Sequence, residues 1–194
     1  MALKYIELQV DADPENRWVK DYINIGLFWE SVADRYSVPI SGLITPYQLN
    51  AKMDLLFDGN HSICFEVDKQ LENVRGTGME IWPILPRTKV HLGSMVPKAK
   101  ELKILRSNIY NWIYGFLMGF KMSLDQSDLL LFKDSFLVKE MNLNRVKALK
   151  KFLEFKVGPK NSILHLGYIP DSLEDVERLI QICVDLKKRC ASIT

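Results

Sequence analysis

Two of the three histidines stand in the same local setting, Val90-His91-Leu-Gly93 and Leu164-His165-Leu-Gly167, each on an expected strand. Imidazole titrates near neutral pH, so a pair on neighbouring strands could serve a phosphodiester as general base and general acid. A hydroxyl beside each imidazole would help hold the phosphate, and two residues after each histidine stand Gly93 and Gly167, which carry none. Two unconnected structural histidines are therefore the expectation. Asp58 followed by Glu66-Val-Asp68 puts a carboxylate where a metal-dependent nuclease would carry its lysine, and histidines at 61, 91 and 165 lack zinc-ligand spacing. There is no P-loop, nucleophile elbow or dinucleotide fingerprint, so the sequence predicts no catalytic residue, no metal and no cofactor.

The elements that must carry these residues follow from periodicity. Ile6, Leu8 and Val10 alternate along Lys4–Val10, as in a half-buried strand. Asp13-Pro14 opens a helix, because aspartate caps well and proline is tolerated at the first helical position, and Trp18, Tyr22, Ile25, Trp29 and Val32 carry it to about Tyr36. Thr45-Pro46 repeats that start signal, and Leu49, Met53 and Leu56 suggest a second, shorter helix. Ser62–Val67, Met79–Leu85 and Thr88–Leu92 read as strands of a meander, with Pro83 and Pro86 marking an edge or a bulge.

From Pro97 the pattern turns helical, basic at first and then apolar through Asn108–Met122. Ile109, Trp112, Ile113, Phe116 and Phe120 share one side, and Asn108, Asn111, Gly115 and Gly119 share another. The stretch is shorter than the roughly 20 residues a bilayer span requires. It is expected as a long central helix enclosed by the chain. Leu129–Val138 is ambiguous between strand and helix, Asn144–Phe155 reads as a helix, and Ile163–Ile169 reads as a strand. Ser172 caps a final helix whose acidic first turn and basic last turn complement its dipole. The predicted class is α+β: one domain over residues 1–194, with about five mostly antiparallel strands packed on the central helix and an amphipathic C-terminal helix.

That order is similar to the acyl-coenzyme A-dependent N-acetyltransferases, which run strand, two helices, three antiparallel strands, helix, strand, helix. The resemblance implies a glycine-rich loop whose N–H groups hold a pyrophosphate. Arg75-Gly-Thr-Gly78 looks like such a loop but precedes a strand, and Gly93-Ser-Met-Val-Pro97 has one glycine and lacks a donor at Pro97. The histidine pair likewise resembles that of two-histidine phosphoesterases, which carry Ser or Thr where this chain has Gly93 and Gly167. Acetyl transfer stands as the enzymatic alternative.

With 194 residues, 47% hydrophobic and 26% charged, the composition is that of one ordinary globular domain. Three cysteines without a C-x-x-C pair, and an opening segment unlike a signal peptide, point to reduced thiols and a cytoplasmic location. The net charge of +2 is uneven: residues 1–96 hold 9 basic against 13 acidic side chains, and residues 97–194 hold 17 against 11. Lys98, Lys100, Lys103, Arg106, Arg145, Lys147, Lys150 and Lys151 make a candidate basic face for another protein with an acidic surface. The functional expectation is a non-catalytic protein-binding module of the immunity-protein, inhibitor or adaptor type, with no membrane partner. Nucleic-acid binding by the basic 98–160 face is a further alternative. A sequence pI near 8.3 and rings expected to be buried weigh against it.

Overall fold

The computed structural model describes residues 3–57, 61–73, 81–83, 86–95, 101–106, 109–125, 128–133, 146, 149 and 151–191. Strand β1 (Ile6–Leu8) leads into helix α1 (Arg17–Tyr36), then β2 (Ile40–Ile44), β3 (Gln48–Phe57), β4 (His61–Asn73), β5 (Ile81–Pro83), β6 (Arg87–Gly93) and β7 (Leu102–Arg106). Helix α2 (Ile109–Leu117), β8 (Lys121–Asp125), β9 (Asp128–Phe132), β10 (Phe152–Val157), β11 (Ser162–Leu166) and helix α3 (Leu173–Ala191) follow. Ten strands lie side by side in the order β1-β2-β3-β4-β6-β11-β10-β7-β9-β8, and β5 pairs with β4 off this path. The sheet is mixed, since β1 runs parallel to β2 and the other neighbours along the path are antiparallel. This corrects the expected α+β arrangement of about five mostly antiparallel strands around a long central helix.

Three segments account for the difference. Thr45-Pro46 starts no helix, because the Thr45 hydroxyl accepts the N–H groups of Tyr47 and Gln48 at 3.1 Å and turns β2 into β3. Leu49, Ala51, Met53 and Leu55 are then buried in alternation with outward Asn50, Lys52, Asp54 and Leu56, so a period of two overrides the helical spacing. Leu56, assigned by spacing to a helical stripe, is 74% exposed. Residues 102–106, expected as the basic start of the long helix, form β7, and Phe152–Val157 form β10 where the Asn144–Phe155 helix was expected to end. Leu129–Phe132 belongs to β9, which settles that part of the ambiguous segment as strand.

Helices α1 and α3 cover one face of the sheet. Tyr22 and Trp29 of α1 and Leu179 and Cys183 of α3 share one core with Phe65 of β4 and Ile104 of β7. Asn16 caps α1 by accepting the Trp18 N–H, and Ser37 closes it in the left-handed region at φ 53°. Ser172 Oγ accepts the Asp175 N–H at 3.2 Å and starts α3. Glu30, buried on α1, accepts the backbone N–H groups of Lys4, Tyr5 and Ile6 at 2.7–2.9 Å, which fastens β1 to the helix.

Helix α2 lies on the opposite face. Along β7, Leu102 and Ile104 belong to the main core, whereas Leu105 joins Leu129, Leu131 and Phe120 in a separate small cluster bordered by Tyr114 and Met122. Successive side chains of a strand point to opposite sides, so this second cluster and the helix above it sit away from α1 and α3.

Candidate binding surface

Nine residues, Ile109–Leu117, make up α2, and its end is set locally. Gly119 takes φ 67°, the Phe120 N–H bonds the Gly115 carbonyl at 3.0 Å, and the Gly119 N–H bonds the Phe116 carbonyl at 3.1 Å. That is a Schellman closure, which requires the left-handed residue that glycine supplies. On its sheet side α2 approaches closely at Gly115, where an added Cβ would stand 2.6 Å from Leu131 Cδ2 and 3.0 Å from Met122 Sδ. Tyr114 packs beside Phe120, and the Lys103 ammonium, hydrogen-bonded to the Tyr114 hydroxyl, lies over both rings.

The other side of α2 faces water. Tyr110, Trp112, Ile113, Phe116 and Leu117 are 80%, 38%, 52%, 76% and 74% exposed, and Met118 follows at 55%. The enclosure expected for Trp112, Ile113 and Phe116 is thereby corrected, while Phe120 is buried. One side of this nine-residue helix packs on the small cluster beneath it, and much of the remaining circumference is exposed. Its three outward rings leave on the order of 400 Å² of aromatic surface in water. A contiguous apolar patch of that size is a candidate contact site.

A second constellation occupies the centre of the same open face. Lys52, Glu66, Lys89, His165 and Glu154 stand in one row across β3, β4, β6, β11 and β10. His91 pairs in register with Ile163, and His165 with Lys89, so the two imidazoles are diagonal neighbours on adjacent strands. Each has its own carboxylate: His91 Nε2 lies 3.1 Å from Glu66, and His165 Nδ1 lies 3.2 Å from Glu154. Lys89 bonds Glu66 at 2.8 Å and Lys156 bonds Glu154 at 2.9 Å. The row is a ladder of paired charges, and both histidines are engaged in it. Among the described residues no group of three or more His, Cys, Asp or Glu side chains could hold a metal ion.

Burial opposes the charged forms of Glu66 and Glu154, yet hydrogen bonds from the neighbouring lysine and histidine outweigh it and hold both carboxyls below their ordinary range. A depressed carboxyl stabilises the fold above that range and loses its contribution as pH falls through the folded value. The double variant Glu66→Gln/Glu154→Gln is expected to flatten the loss of stability on acidification from about pH 5 to about pH 3, measured by urea titration at each pH. Acid profiles of equal steepness would show that the ladder does not carry this dependence.

Of the expected basic face, Lys103, Arg106 and Lys151 fall among the described residues. Lys103 lies against α2 and borders a cleft of about 480 Å³ with Lys156, Lys160 and Asn161. Lys151, at φ 48°, lines a different cleft of about 450 Å³ between α1 and the β11–α3 turn, with Asp21, Asn24, Lys69 and Asp171. There the basic side chains face acidic ones: Lys69 is ion-paired with Asp21. Arg106 lies on β7 opposite Asp128. Lys98, Lys100, Arg145, Lys147 and Lys150 lie outside the described residues, as do Arg75-Gly-Thr-Gly78 and most of Gly93–Lys100. The second helix in the acetyltransferase-like order is strand β3.

Tyr110, Leu117 and Met118 were not singled out by sequence, and the signal that could have found them is Gly119. Gly119, two residues past Leu117, ends the helix before a second buried face can form. No helix among the described residues is long and apolar enough to cross a membrane. No protein-family model matches the sequence, and no curated protein matches it either. Among solved structures, the crystal structure of the mycobacterial trehalose monomycolate transport factor A, TtfA, is similar, with a TM-score of 0.52 and 6% identity over 86% of this chain and 94% of that one. At that identity the likeness is one of fold alone.

Proposed function

We propose that this chain is a non-catalytic binding module, and that its contact element is the apolar arc of α2. The observation that carries the reading is the outward placement of Tyr110, Trp112, Ile113, Phe116 and Leu117 on a helix whose opposite side is locked to the sheet at Gly115. Side chains of this kind cost solubility and add nothing to the core, so a contact surface accounts for them. Lys103 lies beneath α2 over the Tyr114 ring and exposed Lys121 follows the helix, which sets positive charge beside the surface. Cys64, Cys183 and Cys190 form no disulfide, and their thiols, which burial pushes up to about 12, 12 and 11, suit a reducing, cytoplasmic setting and no thiol chemistry.

Photo-crosslinking tests the reading directly. With p-benzoylphenylalanine at position 113, illumination of the cells that naturally make the protein is expected to give adducts well above those from the same group at position 54, on the far side of the sheet from α1. Equal yields at the two positions would remove α2 as the contact element.

A further inference from the structure

We infer that the surface engaged by α2 is the headgroup region of an anionic lipid bilayer; this rests on the docking reading above and names its partner. Four observations converge. At 100° per residue, Tyr110, Trp112, Ile113, Phe116 and Leu117 sweep an arc of about 160° that contains no charged or amide side chain. A protein groove receiving a helix meets a polar rim that needs hydrogen-bond partners, whereas acyl chains ask for none. The helix is about 13 Å long, too short to span a bilayer and suited to lying in the interface with one side submerged. Tyrosine and tryptophan at positions 110 and 112 are the residue types that settle at headgroup depth.

Charge is the fourth observation. Lys121 is exposed at the foot of α2, and the Lys103 ammonium lies 5.2 Å from the Phe120 ring centroid beneath the helix, where Lys133 is ion-paired with Glu101 at 2.9 Å. Positive charge beside a submerged apolar arc meets phosphate and carboxylate headgroups, and neither signal alone holds a protein on a membrane for long. Close packing at Gly115 and the glycine closure at Gly119 fix the arc as a rigid ridge, so little ordering is lost on insertion.

Vesicle co-sedimentation with the full chain tests the inference. Phosphatidylcholine vesicles holding about 30% phosphatidylserine are expected to bring the protein down, and pure phosphatidylcholine vesicles are expected to bind it at least about tenfold more weakly. The triple variant Ile113→Ser/Phe116→Ser/Leu117→Ser is expected to lose at least about a hundredfold in affinity. Lys121→Glu is expected to lose at least about fivefold, and added salt should weaken the wild type. The triple variant must keep its circular dichroism and melting temperature, and Phe116→Ser alone serves as the milder comparison. Binding to neither vesicle, or a triple variant that binds like the wild type, overturns the lipid assignment. If vesicles fail while the position-113 crosslinker captures a protein, the partner is a protein and the docking reading survives. If both fail, the docking reading falls as well.

Discussion

Leu131→Ala is expected to lower the unfolding midpoint by roughly 6–12 °C, while Phe116→Ser/Leu117→Ser moves it by less than about 2 °C. Leu131 is fully buried in the small cluster under α2, so its truncation removes the transfer free energy of three carbons and leaves a cavity, about 3 kcal/mol in all. Phe116 and Leu117 are the last two residues of the same helix and belong to neither core cluster. Sequence hydrophobicity alone ranks all three as core, and only the placement of α2 separates them. Melting curves of the two variants beside the wild type check the contrast. A large drop for the serine pair would mean that its side chains are covered and that no contact surface exists there.

Glu30→Ala is expected to cost about 2–4 kcal/mol in urea unfolding, and Glu30→Gln about half as much. One carboxylate accepts three successive backbone N–H groups at the entry to β1, and alanine leaves those donors without the acceptor while opening space beside Ile6. Glutamine keeps one carbonyl oxygen but gives up the charge that shortens such bonds. Since β1 is the edge strand and pairs only with β2, hydrogen exchange at Gly42, Leu43 and Ile44 should quicken in step with the loss. A cost below about 1 kcal/mol for the alanine variant would show that the β1·β2 pairing holds the segment unaided.

What the sequence disclosed was local, and what it concealed was distant. The start of α3 was legible because Ser172 and Asp175 form their cap within four residues, and the end of α1 at Tyr36 because the stripe through Trp29 and Val32 stops there. The β3 strand was legible in principle: Leu49, Ala51, Met53 and Leu55 alternate, but the spacings of four and three among Leu49, Met53 and Leu56 mimic a helix. The sheet order was not legible, because β6 meets β11 across some seventy intervening residues and nothing in either strand names its partner. The diagonal placement of His91 and His165 depends on that pairing and was equally hidden. For α2 the apolar content was read correctly and its surroundings were not, since hydrophobicity reports a wish to leave water and not which partner will grant it.

The pairing of β6 with β11 divides the path of ten strands evenly, with β1, β2, β3, β4 and β6 on one side and β7 to β11 on the other. On the ribosome, the first five are complete long before residues 162–166 emerge, and until then the free margin of β6 offers unpaired amides to any passing strand. Helix α3 follows β11, and its Lys187 ammonium reaches back to the Ser62 carbonyl at 2.8 Å. The sheet therefore stays half-built until β11 has been made, and trigger-type chaperones should hold the nascent chain longer than a domain whose strands pair in the order they are made.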